Sequence, residues 1–127
     1  MRSRSKDKRN FITSFKDCMN GLNYIMLREH NFKREIVLGI LALILSYALK
    51  ISKIEFIIII IMIALVIVSE IFNTAIEIVV DLYTMKYNEI AKIAKDVSAF
   101  AVLTMCLFTS IVGIIIFVPK ILELVGR

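Results

Sequence analysis

The sequence predicts an all-α membrane protein: an amphipathic surface helix followed by three transmembrane helices. Three observations carry that reading. Hydrophobic residues make up 59% of the 127 positions and the mean hydropathy is +0.83, above the roughly 45–50% of soluble domains. A chain this short leaves much of its surface outside any core, so this much apolar side chain cannot be hidden from water by folding alone. The apolar residues are also gathered into three long runs with short polar connections between them. Finally, the chain is basic as well as greasy, with 16 Lys+Arg against 11 Asp+Glu, and the excess is unevenly placed along it.

Residues 1–10, MRSRSKDKRN, form a flexible basic N-terminus. The remainder, 11–127, reads as one integral-membrane domain. Over residues 11–30, Phe11, Phe15, Met19, Leu22, Ile25 and Met26 recur every three or four positions, with Lys16, Asp17, Asn20, Asn23 and Arg28 largely between them. This spacing predicts a helix lying on the membrane surface. The alternative, an amphipathic helix packed on a soluble core, has little core to pack on.

The first span covers about residues 33–51. Its uncharged run, Ile36 to Leu49, is short for a hydrocarbon layer of about 30 Å. Snorkelling basic side chains at both ends would extend it. The second span, 54–82, opens with the Ile-rich run Phe56 to Val68. The very short connection between these two forces an antiparallel hairpin. The third, 96–118, contains the charge-free stretch Val97 to Val118, which Pro119 is expected to end. Nine Lys/Arg lie in residues 1–34 and three more follow span two. Only two follow span one and two follow span three. The positive-inside rule therefore puts the N-terminus in the cytoplasm.

The residue inventory excludes several functions. Cys18 and Cys106 have neither metal-ligand spacing nor a disulfide framework, and the single His30 rules out a multi-histidine centre. Neither a P-loop nor the motif set of protein kinases occurs. No apolar run follows the basic N-terminus directly, as a signal peptide would require. No nucleic-acid partner is expected.

The stretch that carries chemistry is Ser69 to Asp81, SEIFNTAIEIVVD. Glu70, Asn73, Glu77 and Asp81 fall at about 0°, 300°, 340° and 20° around a helix, so they share one narrow face. A carboxylate near the centre of a membrane helix costs on the order of 3 kcal/mol. Counting about 20 residues inward from the outer boundary puts Glu70 roughly one turn short of the cytoplasmic boundary, with Glu77 and Asp81 beyond it. A lipid hydroxyl and a water-soluble reagent would have to meet at this level. Acids sharing one face repel unless a proton or cation joins them, which makes a divalent metal plausible. A polar seam gluing helices together is the structural alternative. Glu29, the Lys95-Asp96 pair and Lys86, Tyr87 and Asn88 lie at the same membrane face. Each of these is a weak signal when taken alone.

At these residues the chain resembles the small bacterial membrane kinases of the prokaryotic diacylglycerol kinase and undecaprenol kinase family. The family signature stands intact as EIFNTAIEIVVD, Glu70 to Asp81. Flanking elements appear as Glu29-His30-Asn31-Phe32, Ala94-Lys95-Asp96 and Ala101-Val102-Leu103. The resemblance implies a lipid kinase of the bacterial cell membrane, a homotrimer that shares active sites between subunits. It implies ATP with Mg²⁺, and transfer of the γ-phosphate to a membrane-lipid hydroxyl at the cytoplasmic face. Glu70 would be the general base. Glu29 and Glu77 would hold the metal. The nucleotide would be bound by Glu29, Asn73, Glu77, Lys86, Tyr87, Asn88, Lys95 and Asp96. Such roles suit phosphoryl transfer, which needs a placed nucleophile and cations around the phosphate.

Asn10 and Asp17 stand where the diacylglycerol branch carries Arg and Tyr, and this chain has no Trp. Phe11 to Phe15 and the Asn31-Phe32 step are closer to the undecaprenol branch. Undecaprenol is therefore the expected acceptor and diacylglycerol the next. Two readings of another class are a small ion-coupled transporter and a structural membrane subunit. Transport sites tend to lie at the midplane with polar groups on several spans, whereas these acids crowd one end.

Overall fold

The computed structural model describes residues 10–126, and the basic N-terminus expected to be flexible lies almost wholly outside them. Four helices follow in order: α1 (Phe11–Arg28), α2 (His30–Ala48), α3 (Lys53–Tyr83) and α4 (Glu89–Val125). No strand occurs among the described residues.

None of the residues of α1 is buried. Its apolar side chains, Phe11, Phe15, Met19 and Leu22 among them, are exposed. The helix stops at Arg28. Glu29 takes extended backbone (φ −99°, ψ 106°), making a one-residue elbow into α2. The helix is thus two residues shorter than the 11–30 expected, because α2 starts at once on the far side of Glu29 and claims His30.

In α2 the buried residues are Phe32, Gly39 and Ser46. The spacing of seven, two helical turns, puts them on one stripe facing α3. At Gly39 the Ile63 side chain of α3 lies so close that a Cβ would meet its Cγ2 at 2.9 Å. Close approach through small residues is a usual way for helices to pack in lipid, where no hydrophobic force drives them together. The helix ends at Ala48 rather than near residue 51. Lys50 turns into the left-handed region (φ 49°). Its N–H donates to the carbonyl of Tyr47 (3.2 Å), and that of Ile51 to the carbonyl of Ser46 (3.3 Å). Together these form a Schellman closure, with lysine where glycine is more usual.

A capping box starts α3. Ser52 Oγ accepts from the Glu55 N–H (3.2 Å), while Glu55 Oε2 accepts from the Ser52 N–H (2.6 Å). Both groups satisfy donors that a helix start leaves free. Ser52→Ala is expected to lower stability by about 1 kcal/mol, read as a lower thermal midpoint in detergent micelles.

The 31 residues of α3 and the 37 of α4 extend to about 46 Å and 55 Å at 1.5 Å per residue. Both helices are long and apolar enough to cross a membrane. The C-terminal part of α4 corrects an expectation. Pro119 does not end the helix, which runs through it to Val125 and closes at Gly126. Proline removes one donor. Running on keeps the peptide groups around Ile121, Leu122 and Leu124 paired within the helix at the cost of that one bond. Asn88 caps the other end, its Oδ1 accepting from the Ala91 N–H (3.0 Å). The helix therefore begins a full seven residues before the span expected at 96.

Packing is densest between α3 and α4, less so between α2 and α3, and slight between α1 and α2. Only Phe32, Ile59, Val66 and Ile116 form a buried apolar core among the described residues. Most Ile, Leu, Val and Phe side chains of α3 and α4 face outward. So extensive an apolar exterior is not that of a molecule surrounded by water.

Candidate active site

The polar face of α3 turns inward. Glu70 is only 2% exposed and Asn73 9%, in an interior that has few apolar members. Glu29, at the α1–α2 elbow, and Glu77, two turns along α3, are close enough to Glu70 to act on it electrostatically. Glu70 and Glu77 thus share one face of α3, as the helical spacing predicts, and Glu29 comes within electrostatic reach of Glu70 from a second segment. No group of three or more His, Cys, Asp or Glu side chains closes to metal-holding distance among the described residues. Glu29 and Glu77 offer two carboxylates, a donor set that suits Mg²⁺. That ion is bound through one or two carboxylates plus substrate phosphates rather than by an all-protein cage.

Asn73 is the pivot between helices. Its Oδ1 accepts from Ser98 Oγ of α4 at 2.7 Å, and its Nδ2 donates to Glu77 Oε1 at 3.4 Å. The Lys95 carbonyl, 2.9 Å away, shares the same Ser98 proton. The amide therefore sets the α3–α4 register and holds the Glu77 carboxylate. Ser98 was not among the residues expected here, because a lone serine in an apolar run signals nothing until its partner is known.

Further along α3, Asp81 leaves the acid cluster. Its Oδ1 accepts from Lys95 Nζ at 2.5 Å. Lys95 sits on the polar opening turns of α4, ahead of the apolar stretch 97–118. The hydrogen bond to Asp81 holds its ammonium above the ordinary lysine range, so it is a standing positive charge at neutral pH. Glu77 is also within electrostatic reach of it. Asp96 pairs instead with Lys92 (2.5 Å), both well exposed.

A cleft of about 360 Å³ opens where α3 meets α4. It is lined by Lys86, Tyr87, Asn88, Lys95 and Asp96, with Asp81 and Lys92 at its side. The loop before α4 is shaped by Thr84, whose Oγ1 accepts from the Lys86 N–H and donates to the Lys86 carbonyl, both at 3.2 Å. The candidate residues therefore fall into two adjoining groups. Glu70 and Asn73, both buried, form an acidic group with the half-buried Glu29 and Glu77. The remaining five line an open cleft with basic side chains, and Lys95 stands between the groups.

Glu35 joins the acids without any sequence signal. On the first turns of α2, it is close enough to Glu70 for the two to repel, and its Oε2 is buried without a hydrogen-bond partner. In the sequence it follows Lys33 and Arg34 and passes for one more flanking charge. Its inward face becomes visible only once α2 is laid against α3.

Comparison with known proteins follows the same lines. The profile of the family described as prokaryotic diacylglycerol kinase matches residues 16–117. The undecaprenol kinase of Bacillus subtilis (strain 168) is 37% identical over 121 residues, covering 92% of this chain and 98% of its own. A diacylglycerol kinase of Synechocystis sp. is 34% identical over 116 residues, covering 91% of this chain and 66% of its own. The diacylglycerol kinase of Escherichia coli (strain K12) is 36% identical over 83 residues, covering 65% of this chain and 68% of its own.

Proposed function

The chain belongs to the prokaryotic diacylglycerol kinase family and is a lipid kinase, and on that footing we propose that it transfers the γ-phosphate of ATP to undecaprenol at the cytoplasmic face of the bacterial cell membrane. The observation that carries this reading is the junction of the two groups of residues. A buried acid, Glu70, is linked along α3 through Glu77 to an open cleft whose lysine is held in place by Asp81.

In this reading the acceptor lipid brings its hydroxyl to Glu70 from the bilayer. The Glu70 carboxylate takes the hydroxyl proton as the oxygen bonds to the γ-phosphorus, and ADP leaves with the bridging oxygen. Asn73 keeps Glu77 turned toward the phosphates. Lys95, with Lys86 nearby, offsets the charge that spreads over the phosphoryl oxygens. Tyr87, Asn88 and Asp96 line the nucleotide cleft. Glu29 and Glu77 are the residues that would hold Mg²⁺, which when bound neutralises phosphate charge. Phosphoryl transfer asks little covalent work of the protein, so positioning and charge account for most of the rate.

Three spans with a cytoplasmic N-terminus fit the distribution of basic residues, with α2 as the span that α3 and α4 still need. A homotrimer fits the small core and the outward apolar faces of those helices. The choice of undecaprenol over diacylglycerol rests on Phe11, Phe15 and the Asn31-Phe32 step. It is supported by the nearly end-to-end match with a protein named undecaprenol kinase.

The test is transfer of labelled phosphate from ATP with Mg²⁺ to undecaprenol and to diacylglycerol, side by side in the same mixed micelles. The expected result is a higher kcat/KM for undecaprenol. Preference for diacylglycerol would reverse the substrate assignment, and transfer to neither would overturn the reading.

A further inference from the structure

Ser98 lies one turn past Lys95 on α4 and is buried against the buried Asn73 of α3. Ser46, Ser69, Thr104 and Ser110 spend their protons on a carbonyl of their own helix, a bond open to any helical serine or threonine. Ser98 alone among the described serines and threonines reaches a side chain of another helix. The two ends of an amide are alike in shape, so the chemistry of its neighbours decides which way it faces. A carboxylate can only accept, so the Nδ2 end of Asn73 must face Glu77. The oxygen end is left facing Ser98, 2.7 Å away, and the serine must supply the proton. The bond from Asn73 to Glu77 is long, 3.4 Å, and too weak to hold the amide by itself.

We infer that Ser98 is a positioning residue, which acts through the Asn73 amide to hold the Glu77 carboxylate in place. The contacts run from α4 to α3, from Ser98 to Asn73 to Glu77. Because the Lys95 carbonyl shares the same proton, the serine also ties the amide to the turn of α4 that carries Lys95. Glu77 lies within electrostatic reach of Lys95, so one hydroxyl braces an acid and a base that act on each other. Alanine at 98 would fill nearly the same space and remove only the oxygen. The Asn73 oxygen would then be buried without a donor, the amide would be free to turn, and Glu77 would lose its hold. Glu77 is one of the two acids proposed to take Mg²⁺, so the Mg²⁺ requirement should rise when the serine is lost. That last consequence alone rests on the kinase reading.

The direct test needs no assay of activity. In the full chain in detergent micelles, labelled with ¹⁵N, the side-chain NH₂ signal of Asn73 is identified by its loss in Asn73→Ala, and its exchange with deuterated water is followed by NMR. Ser98→Ala is expected to speed that exchange by about fivefold, the worth of one hydrogen bond. Ser98→Thr, which keeps the hydroxyl, should stay near the parent. In transfer assays Ser98→Ala is expected to raise the Mg²⁺ needed for half-maximal rate by a similar factor, while kcat at saturating Mg²⁺ falls far less. A serine with only a packing role predicts the opposite pattern: a lower thermal midpoint, with the exchange and the Mg²⁺ requirement unmoved. Unchanged exchange in Ser98→Ala, or an unchanged Mg²⁺ requirement beside normal transfer, would overturn the proposal. Faster exchange in a chain that transfers no phosphate supports the role of Ser98 and sinks the kinase reading, and transfer with unmoved exchange does the reverse.

Discussion

Glu70→Gln is expected to lower kcat by about 10²–10⁴-fold, the range of a general base, and to leave KM for ATP nearly unchanged. Gln matches Glu in size, so the buried site, 2% exposed in the native chain, is refilled without a cavity. It cannot take the proton of a lipid hydroxyl. The cleft proposed to take the nucleotide is lined by Lys86, Tyr87, Asn88, Lys95 and Asp96 and not by Glu70, so affinity for ATP should survive. Steady-state kinetics on the purified variant, with ATP and lipid varied independently, measures both parameters. A variant within tenfold of the parent turnover would move the base role to another acid of the cluster, Glu29 or Glu77. A large rise in KM for ATP would make Glu70 a nucleotide ligand instead.

Gly39→Leu is expected to destabilise the fold by about 1–3 kcal/mol, as overpacking does, and to abolish most activity as well. A Cβ at position 39 would already stand 2.9 Å from Ile63 Cγ2. That atom is a short branch on a β-branched side chain, which cannot swing aside as the tip of a longer one can. Helix α2 must back away from α3, carrying the Glu29 elbow and Glu35 with it. Gly39→Ala should show a smaller loss in the same direction. Unfolding in detergent micelles, followed by far-ultraviolet circular dichroism, checks that the midpoint falls from the parent to Gly39→Ala and again to Gly39→Leu. A Gly39→Leu variant as stable as the parent would show that the α2–α3 approach is not tight.

Several elements were legible because one helix carries its own pattern. The spacing of Phe11, Phe15, Met19 and Leu22 is enough to place an amphipathic α1. The Ile-rich run before Ser69 is enough to place α3, and the offsets of Glu70, Asn73 and Glu77 put them on one face. Errors arose where an end depends on surroundings. Pro119 reads as a stop in water, and a helix passes through it when the flanking backbone has no better partner. The end of α2 is decided by the left-handed Lys50, a conformation that lysine seldom adopts and no sequence pattern announces.

The sequence by itself determined the helical class, the two long apolar helices and the row of acids on α3, since each is a periodicity or a sum along a single segment. Only the tertiary structure decided how that row is used. Asn73 is committed to Ser98 and Glu77, Asp81 departs to Lys95, and Glu35 comes within electrostatic reach of Glu70. These pairings depend on the register between helices, which is set by the packing at Gly39 and Ile63 and by the hydrogen bond from Ser98. Periodicity fixes the angle of a side chain around its own axis. Its height and orientation against a neighbouring helix come only from the packing of the two together.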